Sequence, residues 1–255
     1  MSRTRLAAVA LPVLMMVAVT AQAGGGVPLV NYGPTELGQV KLVCFRVPGP
    51  LTINTLSVSM PFFVRGIRVG QTADGAAVCN NTPGLTTPTT LPRTLNPNQQ
   101  LVFDVDLVPT QLGDFDRELR INGTRAADLT TEILTAPPCF PSTLASCLQD
   151  DRFKVRTHWR TTTGRRDSGP VVPVSSDDSG LFYFFSPDNW EVLLKVLNAC
   201  NSTQPRFWVF AAATTNVEYT LTVTDTQEQV ARSYFKPQGP PAPAITDTNA
   251  FATCP

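Results

Sequence analysis

Apolar residues along this chain recur at every second position in short runs, and Gly, Pro, Asn, Asp and Ser separate the runs. A period of two places alternate side chains on opposite faces of a pleated sheet, so the spacing predicts strands rather than helices. In the N-terminal half the runs are 39–45, 51–58, 62–69, 101–107 and 117–121. Within 101–107, Phe103, Val105 and Leu107 share one face and Asp104 and Asp106 the other, which predicts a half-buried strand with a solvated acidic face. The C-terminal half continues with 152–160, 181–185, 190–197, 207–212, 217–224 and 230–235. Its first run sets Phe153, Val155, Thr157 and Trp159 against Lys154, Arg156, His158 and Arg160, so His158 is expected on a strand surface. In 190–197 the spacing of Glu191 and Lys195 would suit a helix. Trp190, Val192, Leu194 and Val196 nevertheless alternate and favour a strand, with Glu191 and Lys195 as a structural ion pair. The Pro- and Thr-rich stretch 82–99 reads as loop, and Ala136-Pro137-Pro138-Cys139-Phe140-Pro141 as a joint that sustains neither helix nor central strand.

The first 23 residues stand outside this pattern. Arg3 and Arg5 precede an apolar stretch, 6–19, and Ala21-Gln22-Ala23 is a small-x-small cleavage site. That is the tripartite layout of a secretory signal peptide, too short and wrongly flanked for a membrane anchor. No second long apolar run follows, so no transmembrane span is expected in the mature chain. All six cysteines lie beyond the cleavage site. An even number behind an export signal predicts disulfides in an oxidising compartment, hence a secreted or periplasmic protein. Grouping by segment pairs Cys44 with Cys79, Cys139 with Cys147, and Cys200 with Cys254. Zinc is the poorer reading, because no pair has the short Cys spacing of a zinc site and only one imidazole is available.

Charge sharpens the picture further. Lys and Arg total 20 against 20 Asp and Glu, which argues against a general nucleic-acid binder with its basic surplus. Charged residues make up 16% and apolar residues 42%, a balance that can bury a core and does not describe a disordered tail.

Residues 51–58 (Leu-Thr-Ile-Asn-Thr-Leu-Ser-Val), Phe62-Phe63, Leu95-Asn96-Pro97-Asn98-Gln99 and the stretch from Val108-Pro109 through Gly113 to Ile121 resemble the ASH/hydin-type immunoglobulin-like domain of exported bacterial proteins. Leu107 stands where that family commonly has Phe, and 82–92 is longer. A second set of residues resembles a module that recurs in secreted bacterial proteins of uncharacterised function. It comprises Cys147-Leu148, Arg152-Phe153-x-Val155, Trp159, the run from Asp178 to Phe185, Asn189-x-Glu191, Phe207-Trp208-Val209-Phe210, 216–226 and Asp247-Thr248-x-Ala250-Phe251. These resemblances imply location and a β fold, and they carry over no catalytic residues.

Candidate chemistry is sparse. A Ser or Cys hydrolase needs an imidazole beside its nucleophile, and no G-x-S-x-G, H-E-x-x-H or P-loop is present. The acid pairs Asp104/Asp106, Asp114/Asp116, Asp150/Asp151 and Asp177/Asp178 are explained by solvated faces and turns. No cofactor is expected; the alternative is calcium at Asp177, Asp178, Asp188 and Asp247, completed by loop carbonyls. Arg165-Arg166 reads as a short exposed loop element. The aromatics Phe182, Tyr183, Phe184, Phe185, Trp190, Phe207, Trp208 and Phe210 read mainly as core and domain-interface packing. Among them Phe182, Tyr183, Phe185 and Trp190 are the candidate ligand-binding rings.

The expected protein is all-β, with a signal peptide at 1–23 and two tandem immunoglobulin-like β-sandwiches at 24–136 and 137–255. Its expected function is that of a secreted, non-enzymatic bacterial protein acting through surface contacts with a protein partner or the cell envelope. The alternatives are a carbohydrate-binding module using the rings around 182–190 and a secreted hydrolase.

Overall fold

Alternation becomes strand along almost the whole chain in the computed structural model, which describes residues 18–20, 27–80, 82, 84–174, 176–241 and 243–255. The expected signal peptide lies outside the described residues except for 18–20. The N-terminal half carries β1 (Ala18–Thr20), β2 (Leu29–Glu36), β3 (Lys41–Pro48), β4 (Leu51–Ile53), β5 (Leu56–Ser57) and β6 (Phe62–Gln71). A 3-10 segment, Thr72–Cys79, precedes β7 (Thr86–Pro88), β8 (Arg93–Leu95), β9 (Gln99–Leu107), β10 (Gly113–Ile121) and β11 (Thr124–Leu134). The C-terminal half adds β12 (Ser146–Leu148), β13 (Phe153–Arg160), β14 (Arg166–Gly169), β15 (Ser179–Tyr183) and β16 (Trp190–Asn198). It ends with β17 (Phe207–Ala213), β18 (Glu218–Asp225), β19 (Val230–Lys236) and β20 (Ile245–Phe251).

The strands build an all-β molecule of packed sheets. In the first half, β1-β3-β9-β6-β7 packs on β2-β11-β10-β5, with β4 and β8 paired separately. In the second half, β12-β13-β18-β19, with β14 beside β13, packs on β15-β16-β17-β20. Each pair encloses its own apolar cluster. Phe45, Phe62, Phe103, Val105, Leu107, Leu119 and Leu129 anchor the first, which also receives Ala231 from β19. The second is anchored by Phe153, Phe182, Val209, Leu221 and Phe251, together with Val192, Leu194 and Val196 from one face of β16. The ring of Phe153 lies 4.8 Å from Phe207 and 5.1 Å from Phe251.

Strands also form where the sequence pattern did not announce them. β2 contains Gly33 and Pro34, tolerable because it is an edge strand in parallel register with β11. β11 buries Ala127, Leu129, Thr131 and Ile133, a small and partly polar set that hides the alternation. The expected single run 51–58 divides, with β4 pairing with β8 and β5 with β10. The stretch 82–99 is not all loop, since β7 and β8 bury Thr86 and Leu95. No regular element occupies the joint at 135–141. Disulfides join Cys44–Cys79, Cys139–Cys147 and Cys200–Cys254, the expected pairs. Among the described residues no helix is long and apolar enough to cross a membrane.

Candidate functional site

The outer face of β3-β9-β6-β7 meets the outer face of β12-β13-β18-β19, so the four large sheets stack with a polar seam in the middle. Asp104 and Asp106 are therefore not solvated, and neither is His158; Asp104 is wholly buried and His158 is 6% exposed. The alternation correctly put them away from the apolar cores, but the face opposite each core is covered by the other half. Three guanidinium groups surround Asp104: Arg160 Nε at 3.0 Å, Arg68 Nη1 at 3.2 Å and Arg166 Nη1 at 3.4 Å. Arg160 also reaches Asp106 at 2.6 Å and Glu218, its register partner on β18. Arg166 is thus buried, unlike its exposed neighbour Arg165, and its Nη2 donates to the Cys79 carbonyl at 3.0 Å. The Cys44–Cys79 disulfide holds the 3-10 segment that presents this carbonyl.

A register shift in β6 between Arg65 and Arg68 sends both side chains toward the seam. Arg65 stacks at 3.7 Å over the Phe235 ring, and Gly66 keeps a positive φ of 53° at the shift. A Cβ at Gly66 would stand 2.7 Å from both Arg160 Cδ and Arg68 Nη1. Closer to the joint, Lys154 donates to Glu36 at 2.7 Å, and Thr222 Oγ1 donates to the Gly38 carbonyl at 2.8 Å. Gln229 clamps Ala136, accepting from its N–H at 2.7 Å and donating to its carbonyl at 3.0 Å.

Burial sets the proton affinities in the seam. Burial alone would raise the Asp104 carboxyl, but Arg68, Arg166 and Arg160 outweigh it and hold the group below its ordinary value. For Asp106 and Glu218 burial wins over Arg160, and both lie above theirs. Burial, reinforced by Arg160 and Arg166, pushes His158 down to about 3.

The second surface is the outer face of β15-β16-β17-β20. In register, Tyr183 faces Trp190, Leu181 faces Leu193, and Leu193 faces Ala212; Lys195 lies opposite Phe210 and Leu197 opposite Trp208. Trp190 is 50% exposed and Leu193 39%. The opposite end of the stack, on β10 and β11, presents Asp114, Asp116, Glu118, Asp128 and Glu132 with Arg120 and Arg125.

Of the candidate rings, Tyr183 and Trp190 come together on this outer face. Phe182 does not, because it is wholly buried in the core. Phe185 is exposed but rests edge-on against Trp159, with centroids 4.9 Å apart and Arg165 beside both rings. Trp190 does not share a face with Val192, Leu194 and Val196. Glu191 is an extra residue at a register shift, where Phe182 faces Val192 and Tyr183 faces Trp190, and this bulge turns the indole outward. Glu191 itself is buried and accepts from Asn189 Nδ2 at 2.6 Å; among the described residues no ion pair joins it to Lys195. Trp208 and Phe210, expected as core or domain-interface rings, are half-buried on the outer face, away from both the core and the seam.

The acidic candidates do not converge. Asp177 caps the Asp150 N–H at 2.8 Å, Asp178 accepts from the Gln149 amide, and Asp247 accepts from the Tyr234 hydroxyl at 2.9 Å. Among the described residues no group of three or more His, Cys, Asp or Glu is arranged to hold a metal ion. Compared with known proteins, the chain matches no family model and no curated protein.

Proposed function

We propose that the chain is an exported, non-enzymatic protein of two tandem immunoglobulin-like β-sandwich domains, divided at the 135–141 joint. It acts through the outer face of β15-β16-β17-β20 on a protein partner or the cell envelope. The observation that carries this reading is the largely apolar composition of that face, with Leu181, Tyr183, Trp190, Leu193, Leu197, Trp208 and Phe210 around the single charge of Lys195, on one side of a sheet whose other side already has a core. Contiguous apolar surface of this kind marks interaction sites on folded proteins. Three disulfides fit an oxidising compartment. The sole histidine is enclosed in the seam, where no substrate could reach it, which supports a role without nucleophilic catalysis.

The test is co-sedimentation of purified protein with isolated cell envelopes, comparing wild type with Trp190→Asp/Leu193→Asp. Wild type should sediment, and the double variant should remain in solution with its fold intact by circular dichroism. Equal sedimentation of both would overturn the reading, as would a hydrolytic activity lost on Glu191→Gln. Carbohydrate binding is the second reading, favoured by the rings of Tyr183, Trp190, Trp208 and Phe210 on one face. Quenching of tryptophan fluorescence by soluble polysaccharide, absent in Trp190→Ala, would select it.

A further inference from the structure

We propose that His158 makes the seam acid-labile: protonation of this one imidazole opens the contact between the two sheet pairs about the 135–141 joint while each pair keeps its own core. The geometry leaves the imidazolium no carboxylate of its own: Asp104, the one that favours its charge, is already shared by three guanidinium groups. His158 sits on β13 between Arg156 and Arg160, with Ser168 of β14 and Thr220 of β18 as register neighbours. The charged groups around it are Lys154, Arg156 and Arg160 on its own strand, Arg166 on β14, and Glu218 on β18. From the other half come Arg65 and Arg68 on β6, Asp104 and Asp106 on β9, and Glu36 on β2. Every carboxylate in that set is already taken: Asp104 by Arg68, Arg160 and Arg166, Asp106 and Glu218 by Arg160, and Glu36 by Lys154 and Arg156. Among the described residues His158 Nε2 has no hydrogen-bond partner and is buried.

The seam is also built to part with little apolar exposure: Ala231 of β19, beside the Gln229–Ala136 clamp at the joint, is the residue of the C-terminal half that sits in the first core. Its facing surfaces carry arginines, carboxylates and the threonines 220, 222 and 224, whereas the main apolar clusters lie one on each side. Contacts of this polar kind within a chain permit relative motion far more readily than an apolar interface does.

The sign follows from linkage. At pH 7 the imidazole is neutral in the closed form and mostly neutral in the open one. As pH falls below the ordinary value of 6.5, the open form takes up a proton that the closed form refuses until about 3. Between those limits the contribution of His158 to the opening equilibrium rises roughly tenfold per pH unit, or about 100-fold by pH 4.5. Asp106 and Glu218, held above their ordinary values by burial, act in the opposite direction. Comparison with His158→Gln isolates the imidazole, because those carboxylates remain in both proteins.

The experiment follows purified protein from pH 7 to pH 4 by small-angle scattering, amide exchange at residues 72–79 and 160–169, and NMR of the single histidine. Wild type should lengthen and lose protection at these segments while its near-ultraviolet circular dichroism persists, and the imidazole should titrate in the same pH window. His158→Gln should remain closed where wild type opens. Opening of both proteins at the same pH would overturn the proposal. So would an imidazole titrating near its ordinary value in an unchanged molecule, or loss of the near-ultraviolet signal together with opening. Should His158→Gln fail to fold, the wild type still decides: coincident midpoints for imidazole and opening support the proposal, and separate midpoints refute it.

Discussion

Replacing Arg160 with methionine is the perturbation the seam should feel most. The side chain is 2% exposed and pairs with Asp104, Asp106 and Glu218. Methionine keeps most of the apolar stem and removes the guanidinium. Asp104 then retains Arg68 and Arg166, but Asp106 and Glu218 keep no ion pair among the described residues. Removing one partner of a buried pair costs roughly 3–5 kcal/mol, because the charge left behind has lost its water and gained nothing. The two carboxyls can escape part of this cost by binding protons, since burial already holds both above their ordinary values. The penalty should therefore sit near the lower figure, about 3 kcal/mol at pH 7, and shrink as pH falls. Urea denaturation measures it directly. In thermal melts, at about 2–4 °C per kcal/mol for a chain of this size, the midpoint should drop by roughly 10 °C. Neutralising the abandoned partners as well, in Arg160→Met/Asp106→Asn/Glu218→Gln, should restore most of the loss, because replacing both sides of a buried pair is often close to neutral. The reasoning fails if the single variant lies within about 1 kcal/mol of wild type, or if the triple variant is no better than the single one.

Opening the Cys200–Cys254 disulfide by serine substitution at both positions releases a loop of sequence separation 54 and should cost about 4 kcal/mol on the chain-entropy account, read from non-reducing urea curves. A loss well under half of that would show that the C-terminus is held chiefly by the Arg152 guanidinium, which donates to the Thr253 carbonyl at 2.6 Å. Asn122 turns β10 into β11 at a φ of 51° while its Oδ1 accepts from the N–H groups of Asn54 and Thr55 and its Nδ2 donates to the Thr52 carbonyl. Asn122→Ala should cost about 2 kcal/mol and Asn122→Asp, which keeps the acceptor, about half as much; an unchanged denaturation midpoint for the alanine variant would remove the turn from the account of stability.

Local pattern carried the strands and their inward faces well. Phe103, Val105, Leu107, Phe153, Val155, Tyr219 and Leu221 point into cores as their alternation requires. It carried the disulfides too, because each pair closes within a segment that folds on itself. What alternation cannot register is the partner of the other face. Asp104, Asp106, His158 and Arg160 look solvated in sequence, since a period of two separates core from non-core without saying whether water or another sheet lies beyond. Bulges are the second blind spot. One inserted residue reverses the face of everything beyond it, which is why Trp190 alternates with Val192 in sequence and not in space. Gly66 inside β6 was a readable sign of such an irregularity, whereas Glu191 offered none. Trp208 and Phe210 escape sequence reasoning for a different reason: a ring on a strand reads as core, yet both sit on the face opposite the core and are only half-buried there.

The buried seam also redistributes the electric character of the molecule. Arg65, Arg68, Lys154, Arg156, Arg160 and Arg166 are drawn into it or along its margin, with only Glu36, Asp104, Asp106 and Glu218 to match them. The balance of 20 basic and 20 acidic residues thus belongs to the chain, while the surface offered to the surroundings keeps an acidic remainder. Part of that remainder, Asp114, Asp116, Glu118, Asp128 and Glu132, lies on β10 and β11 beside Arg117, Arg120 and Arg125, and part, Asp177, Asp178, Asp188 and Asp247, lies around the aromatic sheet at the other end. Near an anionic surface neither end is favoured by charge, so contact through the face bearing Trp190 would draw on apolar burial.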